Sequence, residues 1–145
     1  MIKNVAILGA TSHIAKGLIV QFFQSEEPYR LYLFARTKKE IYHFLETHSL
    51  QTSNIVIFEG FETVFNFHFD ILINCIGVGT SRAMGTNYHL WFSVTEQYDN
   101  LCIRYAKANK TTLYISLSSG AVYGTGASTP VNTDPVPAQT GTIDL

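Results

Sequence analysis

Short apolar runs alternate along the chain with longer stretches in which hydrophobic residues recur every three or four positions. Ile2–Leu8 is a run of the first kind, with Val5, Ile7 and Leu8 at its centre, and reads as a buried strand. After a turn at Gly9–Thr11, the residues Ile14, Leu18 and Phe22 form one stripe of a helix that should stop before Pro28. Arg30–Ala35 reads as a second strand. Thr37-Lys38-Lys39-Glu40 has the capping-box pattern, with Thr37 free to accept from the backbone of Glu40, and opens a helix striped by Ile41, Phe44 and Leu45. Asn54–Phe58 is a third strand, whereas the aromatic segment Glu59–Phe69 has no pattern that assigns it. Ile71–Ile76, introduced by Asp70, is a fourth strand, and the glycine-containing residues 77–87 read as a loop. Trp91, Val94, Tyr98, Leu101, Cys102 and Tyr105 follow helical spacing, Asn109 suits a left-handed cap, and Thr112–Leu117 is a fifth strand.

Such alternation predicts a parallel sheet with helices on both faces. Right-handed crossovers favour a doubly wound α/β sheet of strand order 3-2-1-4-5, with the flavodoxin-like order 2-1-3-4-5 as its rival. Past Tyr123 the periodicity stops: Pro130, Pro135 and Pro137 lie there, and no Lys or Arg follows Lys110. The expected division is therefore an ordered unit over 1–124 and a loop or disordered tail over 125–145.

The 145 residues fit one domain. Hydrophobic residues make up 46% of the chain and charged ones 14%, the latter well below the usual figure of about 25%. A formal net charge of -1 gives no basic field, so nucleic acid is not an expected partner. No run approaches the roughly 18 apolar residues of a membrane span, and nothing at the start resembles a secretion signal, so the expected compartment is the cytoplasm. Cys75 and Cys102 read as two reduced core thiols. The five histidines have no metal-ligand spacing, so no metal is expected. The low charge has a second reading, a piece of a larger domain whose apolar surface further chain would cover.

Chemistry concentrates where the first strand runs into a helix through Gly9-Ala10-Thr11-Ser12-His13-Ile14-Ala15. In a doubly wound sheet this turn offers a phosphate the unpaired N–H groups and the positive dipole end of the helix. Gly9 permits the tight turn, Thr11 and Ser12 can add hydroxyl donors, His13 can donate or be solvated, and Ala15 is small enough to pack on the sheet. Only one glycine of the usual three is present, and a generic strand–helix turn is the competing reading. At the end of the second strand, where an NAD site tends to carry a carboxylate, the chain reads Ala35-Arg36-Thr37. Arg36 suits a 2′-phosphate and so favours NADP over NAD; the alternative is a solvated cluster at a helix start.

The run Tyr114-Ile115-Ser116-Leu117-Ser118-Ser119-Gly120-Ala121-Val122-Tyr123-Gly124 resembles the Y-I-S-S-S-x-A-V-Y-G stretch of the extended short-chain dehydrogenase/reductase superfamily, which includes the nucleotide-sugar epimerases and dehydratases. Ile73-Asn74-Cys75-Ile76-Gly77 is similar to its "I-N-x-A-G" segment, Ile7–Ala15 to its opening cofactor turn, and Asn100–Ala106 to its "N-L-L-E-A-A" helix. The resemblance runs from residue 2 to about 124. It implies a Rossmann-type dinucleotide-binding domain, with the adenosine half of NADP or NAD at Gly9, Thr11, Ser12, His13, Ile14 and Arg36. Cys75, Ile76 and Gly77 would line the other side, and Ser119 would orient a substrate hydroxyl. The implied substrate is a nucleotide-sugar. The family's acid/base pair, Y-x-x-x-K, is absent: no tyrosine is followed four residues later by lysine. The expectation is an amino-terminal portion, cut after its fifth strand and inactive alone, with an open edge that would take up a second copy as a homodimer. A non-catalytic NADP(H)-binding sensor or partner subunit is the alternative.

Overall fold

The computed structural model describes residues 1–77 and 88–117. Its elements are β1 (Lys3–Leu8), α1 (His13–Gln24), β2 (Tyr29–Ala35), α2 (Lys38–Thr47), β3 (Ile55–Glu59), a 3-10 turn (Glu62–Asn66), β4 (Ile71–Asn74), α3 (Tyr88–Ala108) and β5 (Leu113–Ser116). All strand pairs are parallel, and their order is β3-β2-β1-β4-β5, so the flavodoxin-like order is not adopted.

β1 is central because it is apolar on both faces. Val5 and Ile7 pack with α1 and α2 through Ala15, Ile19, Ile41, Phe44 and Leu45. Ala6 and Leu8 face the opposite layer, built from Leu101, Cys102 and Tyr105 of α3 with Phe61, Val64 and Phe69. Cys75 belongs to the first layer and Cys102 to the second, both with free thiols. The sheet stands between them, and desolvation pushes the thiols up to about 11 and about 12.

Four local expectations are corrected. Ile14 is not on the buried stripe of α1: it is 56% exposed, while Ala15 and Ile19 are buried and Leu18 and Phe22 are only partly so. The helix meets the sheet through Ala15, whose short side chain allows a close approach. Thr37 precedes α2 but makes no capping bond; the Lys38 N–H donates instead to the Glu59 carboxylate at 3.2 Å. A side chain from the neighbouring strand has displaced the local cap. Asn109 is not left-handed, since Ser49 is the one non-glycine residue of positive φ among the described residues. Asn109 ends α3 by directing both its backbone N–H and its side-chain amide to the Tyr105 carbonyl. Finally, β4 stops at Asn74 rather than Ile76, because the Asn74 side chain turns the chain there.

The unassigned segment after β3 forms the 3-10 turn and an aromatic layer against the sheet. The Tyr105 hydroxyl donates to the Phe67 carbonyl at 3.0 Å and accepts from the Phe69 N–H at 2.9 Å. This bond pair guides the chain into β4. At the other edge, Tyr114 of β5 packs towards α3, whereas Leu113, Ile115 and Leu117 are exposed. Of the loop expected over 77–87, all but Gly77 lies outside the described residues, as does everything after Leu117, including Ser119 and the tail over 125–145.

Candidate functional site

The connections from β1 and β4 leave the sheet in opposite directions. α1 leads from β1 towards β2, while α3 leads from β4 towards β5. The carboxyl ends of β1 and β4 therefore flank a switch point, where open α/β sheets hold their ligands.

Gly9 occupies this point with φ +74. A Cβ there would lie 2.9 Å from the carbonyl carbon and oxygen of Cys75 and from the Ile76 nitrogen. The turn cannot back away, because the N–H groups of Gly9 and Ala10 both donate to the Phe34 carbonyl at 3.0 Å. On the other side, the Cys75 N–H donates to the Leu8 carbonyl at 2.9 Å. Gly9 is thus held between the ends of β2 and β4, in a space and a conformation that fit glycine.

The start of α1 fits an anion. Its first turn carries no acidic residue. Ser12 is the N-cap, and its hydroxyl oxygen accepts from the Ala15 N–H at 3.2 Å. The Ser12 proton stays available for donation, but the Ala15 N–H does not. The N–H groups of His13 and Ile14 have no carbonyl within the helix to bond. His13 and Ile14 are exposed, and Thr11 is half-buried. Arg36 is exposed immediately beyond β2 and forms no ion pair among the described residues.

The β4 side, where Cys75, Ile76 and Gly77 were expected, is braced by two residues that sequence reasoning had not given a role, Asn74 and Asp99. Asn74 is only 3% exposed. Its amide nitrogen donates to Asp99 of α3 at 2.9 Å, and its side-chain oxygen accepts from the Ile76 N–H at 3.1 Å. A lone Asn closing an apolar strand was the available signal; its partner, 25 residues away, was not visible. Cys75 is buried in the α1 layer, so it presents backbone rather than thiol at the switch point. Ile76 is half-buried and Gly77 exposed, and a Cβ on Gly77 would meet nothing within 4 Å among the described residues. The structure thus brings Gly9, Thr11, Ser12, His13 and Ile14 together with Cys75 and Ile76. Arg36 lies one strand away.

Other features lie elsewhere. A cleft of about 210 Å³ is lined by Phe22, Ser25, Pro28, Tyr29 and Asn54, at the opposite end of the sheet. No cluster of three or more potential metal ligands and no helix long and apolar enough to cross a membrane occurs among the described residues.

No protein-family model and no curated protein matches this chain. Solved structures do. The UDP-glucose 4-epimerase from Bifidobacterium longum, in complex with NAD+ and UDP, matches with TM-score 0.72 at 15% identity, over 90% of this chain and 41% of its own. The UDP-Glc/GlcNAc 4-epimerase from Campylobacter jejuni matches with TM-score 0.67 at 16% identity, over 93% and 42%. ElxO with NADPH bound matches with TM-score 0.65 at 20% identity, over 82% and 56%. The chain therefore spans less than half the length of either epimerase. At these identities the likeness is one of fold. Together with the sheet order, it makes this a Rossmann-type α/β fold of the kind found in epimerase/dehydratase and short-chain dehydrogenase structures.

Proposed function

We propose that this chain is the NAD(P)-binding portion of an oxidoreductase resembling the nucleotide-sugar epimerases and dehydratases. The observation that carries the reading is Gly9: a positive-φ glycine at the switch point, wedged against the end of β4, opening a helix whose first turn is free of carboxylates. Solved structures of the same fold that hold NAD+ or NADPH support it.

In this reading the N–H groups of His13 and Ile14, with the hydroxyls of Thr11 and Ser12, hold the cofactor's pyrophosphate. Arg36 meets a 2′-phosphate, which favours NADP(H). The backbone of Cys75–Gly77 lines the far side, and Ser119 orients a substrate hydroxyl. The bound cofactor supplies hydride-transfer chemistry. Because the sequence holds no Y-x-x-x-K pair, the 145-residue chain lacks the group that would exchange the substrate's proton, and it does not turn over sugar nucleotide by itself.

Calorimetric titration of the 145-residue chain with NADPH and NADH tests the binding claim. Saturable binding of either is expected, and its absence at millimolar cofactor sinks the reading. Turnover of a UDP-sugar by a preparation of verified mass would refute the claim of inactivity. The missing acid/base pair also supports a second reading, a non-catalytic NADP(H)-binding sensor or subunit. A stable monomer with tight NADPH binding favours that reading, and self-association through the exposed β5 face argues against it.

A further inference from the structure

The sequence places a cation and no carboxylate at the end of β2, yet the fold brings a carboxylate there from the next strand. Glu59, the last residue of β3, pairs in register with Ala35, the residue before Arg36. The Gly60 N–H donates to the Ala35 carbonyl at 2.9 Å, which ties the end of β3 to the end of β2. The Glu59 carboxylate accepts from the Lys38 N–H at 3.2 Å, at the start of α2. Among the described residues it forms no ion pair, whether with Arg36, Lys38, Lys39 or any other cation.

We infer that Glu59 is a second determinant of cofactor choice, acting against Arg36. The inference rests on the dinucleotide reading of the preceding section. The end of β2 is where a doubly wound sheet meets the adenosine ribose; a carboxylate there bonds the 2′-hydroxyl of NAD, and an arginine accommodates the 2′-phosphate of NADP. Here both groups are present, one on each of two neighbouring strands. Glu59 already occupies the helix-start N–H that a 2′-phosphate would otherwise use, and its charge repels that phosphate. It also offers a carboxylate oxygen to a 2′-hydroxyl. Arg36 has the opposite preference. The site therefore accepts both cofactor forms, with NADP(H) ahead by less than Arg36 alone would give.

The test compares dissociation constants of NADPH and NADH for the full 145-residue chain and its Glu59→Gln variant. Adenosine 2′,5′-bisphosphate and 5′-AMP serve as probes that differ only at the 2′ position. Gln keeps an oxygen for the Lys38 N–H, so α2 retains its start, and circular dichroism checks this. Glu59→Gln should raise the preference for NADPH over NADH by about two- to fivefold, the range that removal of one exposed charge beside a helix start allows. The two adenosine probes should shift in the same direction, and the effect should shrink in 1 M salt. Wild-type binding with an unchanged NADPH/NADH ratio in Glu59→Gln overturns the inference while leaving the dinucleotide reading in place. If the wild type binds neither cofactor nor either probe, that reading fails and the inference goes with it.

Discussion

Replacing Gly9 by alanine asks one methyl group to enter a space bounded by backbone. The added Cβ would sit 2.9 Å from three main-chain atoms of Cys75 and Ile76. None of these can rotate away as a side chain would. Retreat is also blocked, since the Gly9 and Ala10 N–H groups are tied to Phe34 on one side and the Cys75 N–H to Leu8 on the other. Two costs follow. Holding a non-glycine residue at φ +74 costs about 1–2 kcal/mol. Forcing the end of β4 outward costs about 1–3 kcal/mol more, as for other overpacked sites. Gly9→Ala should therefore lose about 2–5 kcal/mol, read as a lowered urea midpoint at unchanged m-value, and about 4–20 °C in Tm. NADPH affinity should fall as well, because the displaced turn carries the start of α1. Gly17→Ala is the matched control: its Cβ meets nothing within 4 Å among the described residues, and the residue lies inside α1. That variant should gain about 0.5–1 kcal/mol. A Gly9→Ala chain within about 0.5 kcal/mol of wild type would refute the wedge argument, since surface changes alone produce shifts of that size.

Three further outcomes are expected. Asn74→Ala leaves the Ile76 N–H and the Asp99 carboxylate without their buried partner, so urea unfolding should show a loss of about 1–3 kcal/mol. Tyr105→Phe keeps the ring in the core but strands the Phe69 N–H; a similar loss of about 1–3 kcal/mol is expected, and faster amide exchange at Phe69 would locate it. The two thiols carry a pH dependence. Their folded values are pushed by burial from 9.0 up to about 11 for Cys75 and about 12 for Cys102. The unfolded chain therefore releases these protons first, and the stability they confer is complete below about pH 9 and is lost as pH rises towards 11–12. A urea midpoint that does not fall between pH 8 and pH 10, under reducing conditions, would contradict this.

Most of the architecture was legible because the chain's periodicities are clean. Strands at 2–8, 30–35, 54–58 and 71–76 differ from the observed elements by one or two residues at an end, and the favoured order 3-2-1-4-5, rather than its rival 2-1-3-4-5, is the one adopted. The aromatic segment after β3 was not legible. Its conformation is imposed by bonds to Tyr105, 36 and 38 residues away, and a local pattern carries no trace of such partners. The α1 stripe was misread for a similar reason: periodicity gives the spacing of an apolar face, but only contact with the sheet selects Ala15 over Ile14.

The candidate site divides along the same line. Sequence by itself determined the glycine turn, the small residue at Ala15 and the cation at Arg36, because backbone conformation, size and charge belong to single residues. Tertiary structure decided that Gly9 is wedged against Cys75 and Ile76, that Asn74 is braced by Asp99, and that Glu59 rather than Thr37 caps α2. Each of these joins residues from different strands or helices. Parallel neighbours in a sheet are separated in sequence by a whole helix, so such contacts exist only once the crossovers have closed.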